Sequence, residues 1–350
     1  MKNKLLLTTA LASALVTGSA YAETKISGGM TISINSASGT AAYGSDSGFG
    51  RETQLDISNK GDLNNGMTYV AGFSMEHDGT DTGRATGVLD SAENLRIIVT
   101  SGSTSLGIGM DFMPNMSATA APKVGTMVGT AAGAVRSTIA TGVIAYQNYP
   151  GDAFKNDMGV GLLQKVGDLG TLSALVVPHI NDGGGADGEL GDMAKENGGY
   201  ELTFKGNLGV ENLTFISGYK KADKDTSVTA RADRDEKAWQ LGVGYNFGTF
   251  AAGITYNDLE EGINSQERQS YDVGATMALS DTVSIGINHT ATDGKTAGTD
   301  YTAKEKINVV ALGYNLGAVS VVAQYADVSD AGGTNGSDGE QFGLRVSTKF

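Results

Sequence analysis

A period of two governs residues 238–257, AWQLGVGYNFGTFAAGITYN, and it leaves few folds open. Trp239, Leu241, Val243, Tyr245 and Phe247 alternate with Gln240, Gly242, Gly244 and Asn246. Beyond Gly248-Thr249, Phe250, Ala252, Ile254 and Tyr256 alternate with Gly253, Thr255 and Asn257. Successive strand residues point to opposite faces, so this is a hairpin with one apolar, aromatic-ended face and one small polar face. Such a hairpin suits a soluble sandwich, where the apolar face meets a second sheet. It equally suits an outer-membrane barrel, where that face meets lipid and the polar face meets water.

The order of the connections decides between them. Short turns are read at 60–66, 101–104, 166–170, 206–212, 248–249, 280–282 and 315–318, where Gly, Asn and Asp supply the positive-φ positions of tight hairpins. Long connections are read at 36–50, 77–91, 113–156, 181–198, 222–236, 258–267, 291–303 and 327–339. The two kinds alternate, which puts every short turn at one end of the sheet and every long loop at the other. Bacterial barrels sort their connections this way, and sandwiches have no reason to. The expectation is an all-β, transmembrane antiparallel barrel of 16 strands with short periplasmic turns and long extracellular loops. Residues 139–146 leave an alternative of 18, in which the stretch 113–156 hides two further strands.

The N-terminus reads as an export signal. Lys2 and Lys4 precede a short apolar run, and Ala20-Tyr21-Ala22 forms an A-x-A cleavage site. The expected division is a signal peptide over 1–22 and a barrel over 23–350. With no cysteine, no disulfide staples the exported fold. The 51 glycines and 4 prolines suit strands whose inward side must stay small. The net charge is −14, and it becomes −16 without Lys2 and Lys4, which excludes nucleic acid as a partner.

The last strand closes the argument. Phe342, Leu344, Val346, Thr348 and Phe350 share one face, while Gln341, Gly343, Arg345, Ser347 and Lys349 share the other. Its natural partner is the first strand, over 25–35, whose pairing would abolish the sheet edges.

With the export signal, the second hairpin (55–67, LDISNKGDLNNGM), the strand pair 94–112 and the terminal strand ending on Phe350, the chain resembles the general porins of the Gram-negative outer membrane. The resemblance implies a water-filled channel, a homotrimer of sixteen-stranded barrels, and a third long loop folded into the lumen as a constriction. That loop is 113–156 here. The resemblance also implies that Phe350 belongs to the signal read by the outer-membrane assembly machinery. Where many members carry basic wall residues facing an acidic loop, this chain has Gln54 and Met110, so it implies a weaker transverse field.

If the apolar parity faces lipid, the pore-lining residues include Glu52, Asp56, Arg96, Asp111, Lys205 and Arg345. Arg136 and Asp152 lie on the constriction loop, beside Lys123. Charge on a barrel wall is costly toward lipid and tolerated toward water, and at a narrow point it selects ions by sign. Arg96 and Asp111, close to the loop along the chain, are the expected wall residues of the constriction.

His77, His179 and His289 are scattered without metal spacing, and no nucleophile motif accompanies them. The chain is expected to be neither an enzyme nor a holder of a metal or other cofactor. The Asp-rich loops 222–236 and 327–339 lack the regular acid spacing of a calcium loop. The expected function is passive diffusion of ions and small hydrophilic solutes, with mild cation preference from the acidic balance. Expected surroundings are outer-membrane lipid and lipopolysaccharide. A substrate-specific porin, and a structural or adhesive barrel acting through its loops, are the alternatives.

Overall fold

Backbone pairing runs around a complete ring. The computed structural model describes residues 23–39, 46–63, 65–80, 90–110, 112–113, 116, 119–124, 158–178, 198–222, 236–261, 266–296 and 299–350. Before the longest connection come β1 (Glu23–Gly39), β2 (Asp46–Asp62), β3 (Thr68–Thr80), β4 (Asp90–Ser101) and β5 (Thr104–Gly109). After it come β6 (Gly159–Val166), β7 (Gly170–Val177), β8 (Gly199–Gly206), β9 (Leu213–Ala222), β10 (Glu236–Asn246) and β11 (Phe250–Glu261). The ring is completed by β12 (Gln266–Ala278), β13 (Val283–Thr296), β15 (Glu305–Asn315), β16 (Val319–Ser329) and β17 (Gly339–Lys349). A two-residue strand, β14 (Thr299–Asp300), pairs with the tip of β13 outside this ring.

Each wall strand pairs antiparallel with its neighbours in sequence, and β17 pairs with β1 from Gly29↔Lys349 to Gly39↔Gly339. The last residue extends the closure. Phe350 and Gly28 exchange both backbone hydrogen bonds at 3.0 Å. The sheet therefore has no free edge. The wall has sixteen strands, as the alternation of connections predicts. The eighteen-strand alternative fails because β5 pairs directly with β6, from Thr104↔Gln164 to Gly109↔Gly159, leaving no place between them for two more.

All seven short turns fall where the sequence puts them. Three share one device: Asn207, Asn246 and Asn315 each accept the backbone N–H two residues on, at 3.0, 2.9 and 2.9 Å. In each case that N–H belongs to a glycine with positive φ, at 78°, 97° and 83°. These turns hold one end of the barrel tight.

The barrel is apolar outside and polar inside. Leu241 and Val243 expose 47% and 44% of their surface on the outer face, whereas inward Gln240 and Thr255 expose 4% and none. Outward aromatics form two bands. Tyr200, Tyr219, Trp239, Tyr256 and Tyr271 lie toward the loop end, with Trp239 and Tyr256 at 4.8 Å. Phe204, Phe215, Tyr245, Phe247 and Phe250 lie toward the turn end, with Tyr245 and Phe247 at 4.7 Å. Amphipathic rings at both rims and aliphatic residues between them are what a bilayer selects. Among the described residues no helix is long and apolar enough to cross a membrane, so crossing falls to the strands.

Candidate functional site: the inner wall and the loop laid across it

The connection after β5 turns inward. Its described residues, 112–113, 116 and 119–124, lie over the inner wall against one inward glycine after another. A Cβ built at Gly218 on β9 would lie 2.6 Å from Met116 Cγ. One at Gly242 on β10 would lie 2.9 Å from Ala120 Cβ, and one at Gly274 on β12 would lie 2.5 Å from the Pro122 carbonyl oxygen. At Gly286 and Gly313, on β13 and β15, it would meet the Val124 methyls at 2.8 and 2.7 Å. Real Cβ atoms essentially never come so close. These glycines form a shallow track in which the chain can lie against the wall.

Polar side chains fasten it there. Gln240 Nε2 donates to the Met116 carbonyl at 2.9 Å and to Asn257 Oδ1 at 2.8 Å. The Ala120 N–H donates to Thr255 Oγ1 at 2.8 Å. Thr119 Oγ1 lies 2.9 Å from that same hydroxyl and donates to Asp272 Oδ2 at 3.2 Å. Asn288 Nδ2 donates to the Pro122 carbonyl at 3.4 Å. Each such bond contributes about 1 kcal/mol net, while leaving a buried group unmatched costs about 1–3 kcal/mol, so the set holds the segment as a unit.

Lys123 Nζ lies 2.9 Å from Asp272 Oδ2, with side chains 10% and 3% exposed. Burial pulls the Lys123 ammonium down from 10.5 to about 8, and the charge of Asp272 and its hydrogen bond offset part of that. A second buried pair, Lys220–Glu236, lies on the inner faces of β9 and β10.

The wall facing this loop, β16 through β4, carries its own charges. Arg345 on β17 donates from Nε to Ser347 Oγ at 2.9 Å and from Nη2 to Thr31 Oγ1 at 3.2 Å. Asp56 on β2 accepts from Ser74 Oγ at 2.6 Å and Gln54 Nε2 at 2.9 Å. Arg96 on β4 donates from Nη1 to the Asn94 carbonyl at 3.2 Å. Asn94 itself has φ of 53° beside an irregularity in the β3–β4 register, which turns this end of β4.

The sequence-derived site residues divide accordingly. Asp56, Arg96 and Arg345 take the inward parity on the open wall, in register with Ser74, Gly72 and Ser33. Lys205 is also inward but pairs with Thr171 beside the short turn after β8, so it stands at the turn-end mouth and not beside the loop. Position 52 pairs with Thr31, on the parity of Asp56, while its side chain, like Asp111, Arg136, Asp152 and residues 1–22, lies outside the described residues. Sequence reasoning missed Gln240, Thr255 and Asp272 as the loop's anchors. The available signal was a run of inward glycines on consecutive strands with polar residues between them. Among the described residues no His, Asp or Glu cluster could hold a metal ion.

A closed antiparallel barrel with a lipid-facing exterior, a polar interior and a loop laid inside it defines an outer-membrane channel protein. The chain belongs to the Gram-negative porin family, whose family model matches residues 8–333. The fold is shared with the anion-selective porin of Comamonas acidovorans (TM-score 0.66, 15% identity, covering 94% of this chain and 100% of that one). It is shared also with Salmonella typhi OmpF, solved with daunomycin (TM-score 0.68, 10% identity, covering 93% and 97%). No curated protein sequence matches the chain.

Proposed function

We propose that this porin passes ions and small hydrophilic solutes by passive diffusion, without catalysis, and that residues 113–156 narrow its lumen. The observation that supports this reading is the fastening of Met116, Ala120 and Lys123 to the inner wall, through Gln240, Thr255 and Asp272, opposite Arg345, Asp56 and Arg96. Glu52, Asp111, Arg136 and Asp152 belong to the same proposed lining, and Phe350 to the assembly signal. The expected setting is a homotrimer in outer-membrane lipid and lipopolysaccharide, reached after removal of residues 1–22.

Mild cation preference follows from the charge of −14 and from acid-rich long connections gathered at one mouth. On the wall, Asp272, Glu236 and Glu23 are matched by Lys123, Lys220 and Lys60, and Arg96 and Arg345 stand with Asp56 and Glu52, so the wall adds little preference of its own. Single-channel current of the folded protein under a potassium chloride gradient tests all of this. Conductance steps in groups of three support the trimeric channel, and silence would overturn it in favour of a plugged or adhesive barrel. A cation-favouring reversal potential that fades in high salt supports the loops as its source, because loop charge is screened within ~8 Å at physiological salt. An anion-favouring potential would overturn the cation preference.

A further inference from the structure

The inner face is not polar everywhere. Near the loop end of β15 and β16 the inward residues are Ile307, Val309, Ala326 and Val328, all buried, and they join Ala37 of β1 in one apolar cluster. Water-filled barrels line their interior with polar groups, so an apolar inner surface needs a cover. The sixth member of the cluster is Ala331, from the connection between β16 and β17. That connection turns inward through a single 3-10 turn, Ala331–Gly333, which packs against β13 and β15.

Its position is fixed on three sides. Glu305 on β15 accepts the Gly332 N–H at 2.7 Å, and the Gly333 carbonyl accepts the Thr302 N–H at 2.9 Å and the Thr302 hydroxyl at 3.0 Å. The ring of Tyr301 lies directly on Gly333, whose φ of 74° and missing side chain permit the approach. Inside the connection, Asp330 Oδ1 accepts the Gly336 N–H at 2.8 Å and Asp338 Oδ1 accepts the Asp330 N–H at 3.1 Å. The two carboxylates hold the turn closed.

We propose that residues 330–338 are a fixed cap over the outer end of the lumen, a second size filter in series with the loop after β5. The proposal rests on the channel reading. The cap excludes by bulk: it takes up cross-section above β15, β16 and β1, and its bonds to Thr302 and Glu305 hold it in place. Small solutes pass beside it, and larger ones are slowed before they reach the inner narrowing.

The test is osmotic swelling of liposomes holding the full-length mature protein, in mono-, di- and trisaccharides. Three variants are compared with the parent: removal of residues 331–336, Gly333→Val, which drives a branched side chain into Tyr301, and Glu305→Gln, which keeps the size and removes the charge. The expected result is a several-fold rise in the trisaccharide rate relative to the monosaccharide rate on removal. Gly333→Val should give a similar rise and Glu305→Gln a smaller one. Parent protein that swells liposomes in monosaccharide, with the same ratio in all three variants, would overturn the cap and leave the channel standing. Folded parent protein that gives no swelling would overturn both.

Discussion

Lys123 and Asp272 meet at the inner wall, 2.9 Å apart and nearly sealed from water, although one belongs to the loop after β5 and the other to β12. Asp272 also accepts from Thr119 and from Thr290, at 3.2 and 3.4 Å, so the carboxylate gathers loop and wall together. Breaking a buried pair by removing one partner typically costs about 3–5 kcal/mol. Here the loop can undock into lumen water, and that escape caps the cost.

Asp272→Asn should therefore loosen the loop without unfolding the barrel. The expected outcome is frequent switching between conductance levels, with the gel mobility of the folded protein unchanged. Lys123→Met should do the same more weakly, because Thr119 and Thr290 still donate to Asp272. The double variant should fall short of the sum of the two, as coupled residues do. Additive effects would mean that the pair does not hold the loop.

The same pair makes loop docking depend on pH. Free Lys123 would titrate at 10.5, and docked Lys123 titrates at about 8. Between those values the docked form binds fewer protons, so docking strengthens as pH rises from about 8 toward 10.5, by on the order of 1 kcal/mol per unit. Below about pH 8 both forms are protonated and the dependence vanishes. Current noise should fall between pH 8 and 10 and stay flat from 6 to 7.5. Lys123→Met should abolish the trend; noise that rises with pH in the parent protein would contradict the assignment.

The exterior offers an independent check on the parity. Val243 faces outward at mid-height on β10, between Trp239 toward the loop end and Phe247 toward the turn end. An arginine on the lipid face near the bilayer midplane costs about 2–4 kcal/mol. Val243→Arg should lower the folding free energy in lipid vesicles by that amount, as read from denaturant titration. A change below about 1 kcal/mol would place residue 243 away from lipid.

Much of this was legible in the chain because barrel physics is local and periodic. Alternation assigned Asp56, Arg96, Lys205 and Arg345 to the inner face, and the Asn-x-Gly turns marked the short-turn end. Height along the pore was not legible: Lys205 has the same parity as Glu201 but sits beside a turn, and a period of two carries no depth. Nor were the loop anchors, since Thr119 and Thr255 are 136 positions apart and their contact depends on the closed ring. The cap was hidden for a different reason. On β15 both parities are apolar, with Ile307 and Val309 inward and Val310 and Leu312 outward, so the alternation gives no hint that one side needs covering from within.

The glycine track can be tested by closing it and reopening it. At Gly313 on β15 a methyl group would lie 2.7 Å from Val124 Cγ1 and 2.8 Å from Ser284 Oγ. Ser284 can rotate its hydroxyl away, but the Val124 methyls are stiff about χ1 and also sit 2.8 Å from the Cβ position of Gly286. Gly313→Ala should therefore push the loop toward the pore axis and lower single-channel conductance by tens of percent, since overpacking costs about 1–3 kcal/mol and the loop yields more cheaply than the sheet. Val124→Ala removes the colliding methyls, so Gly313→Ala with Val124→Ala should recover most of the conductance. If the single variant conducts normally, residue 124 does not seat on β15 in the open channel. If the double variant stays low, the obstruction lies elsewhere than Val124.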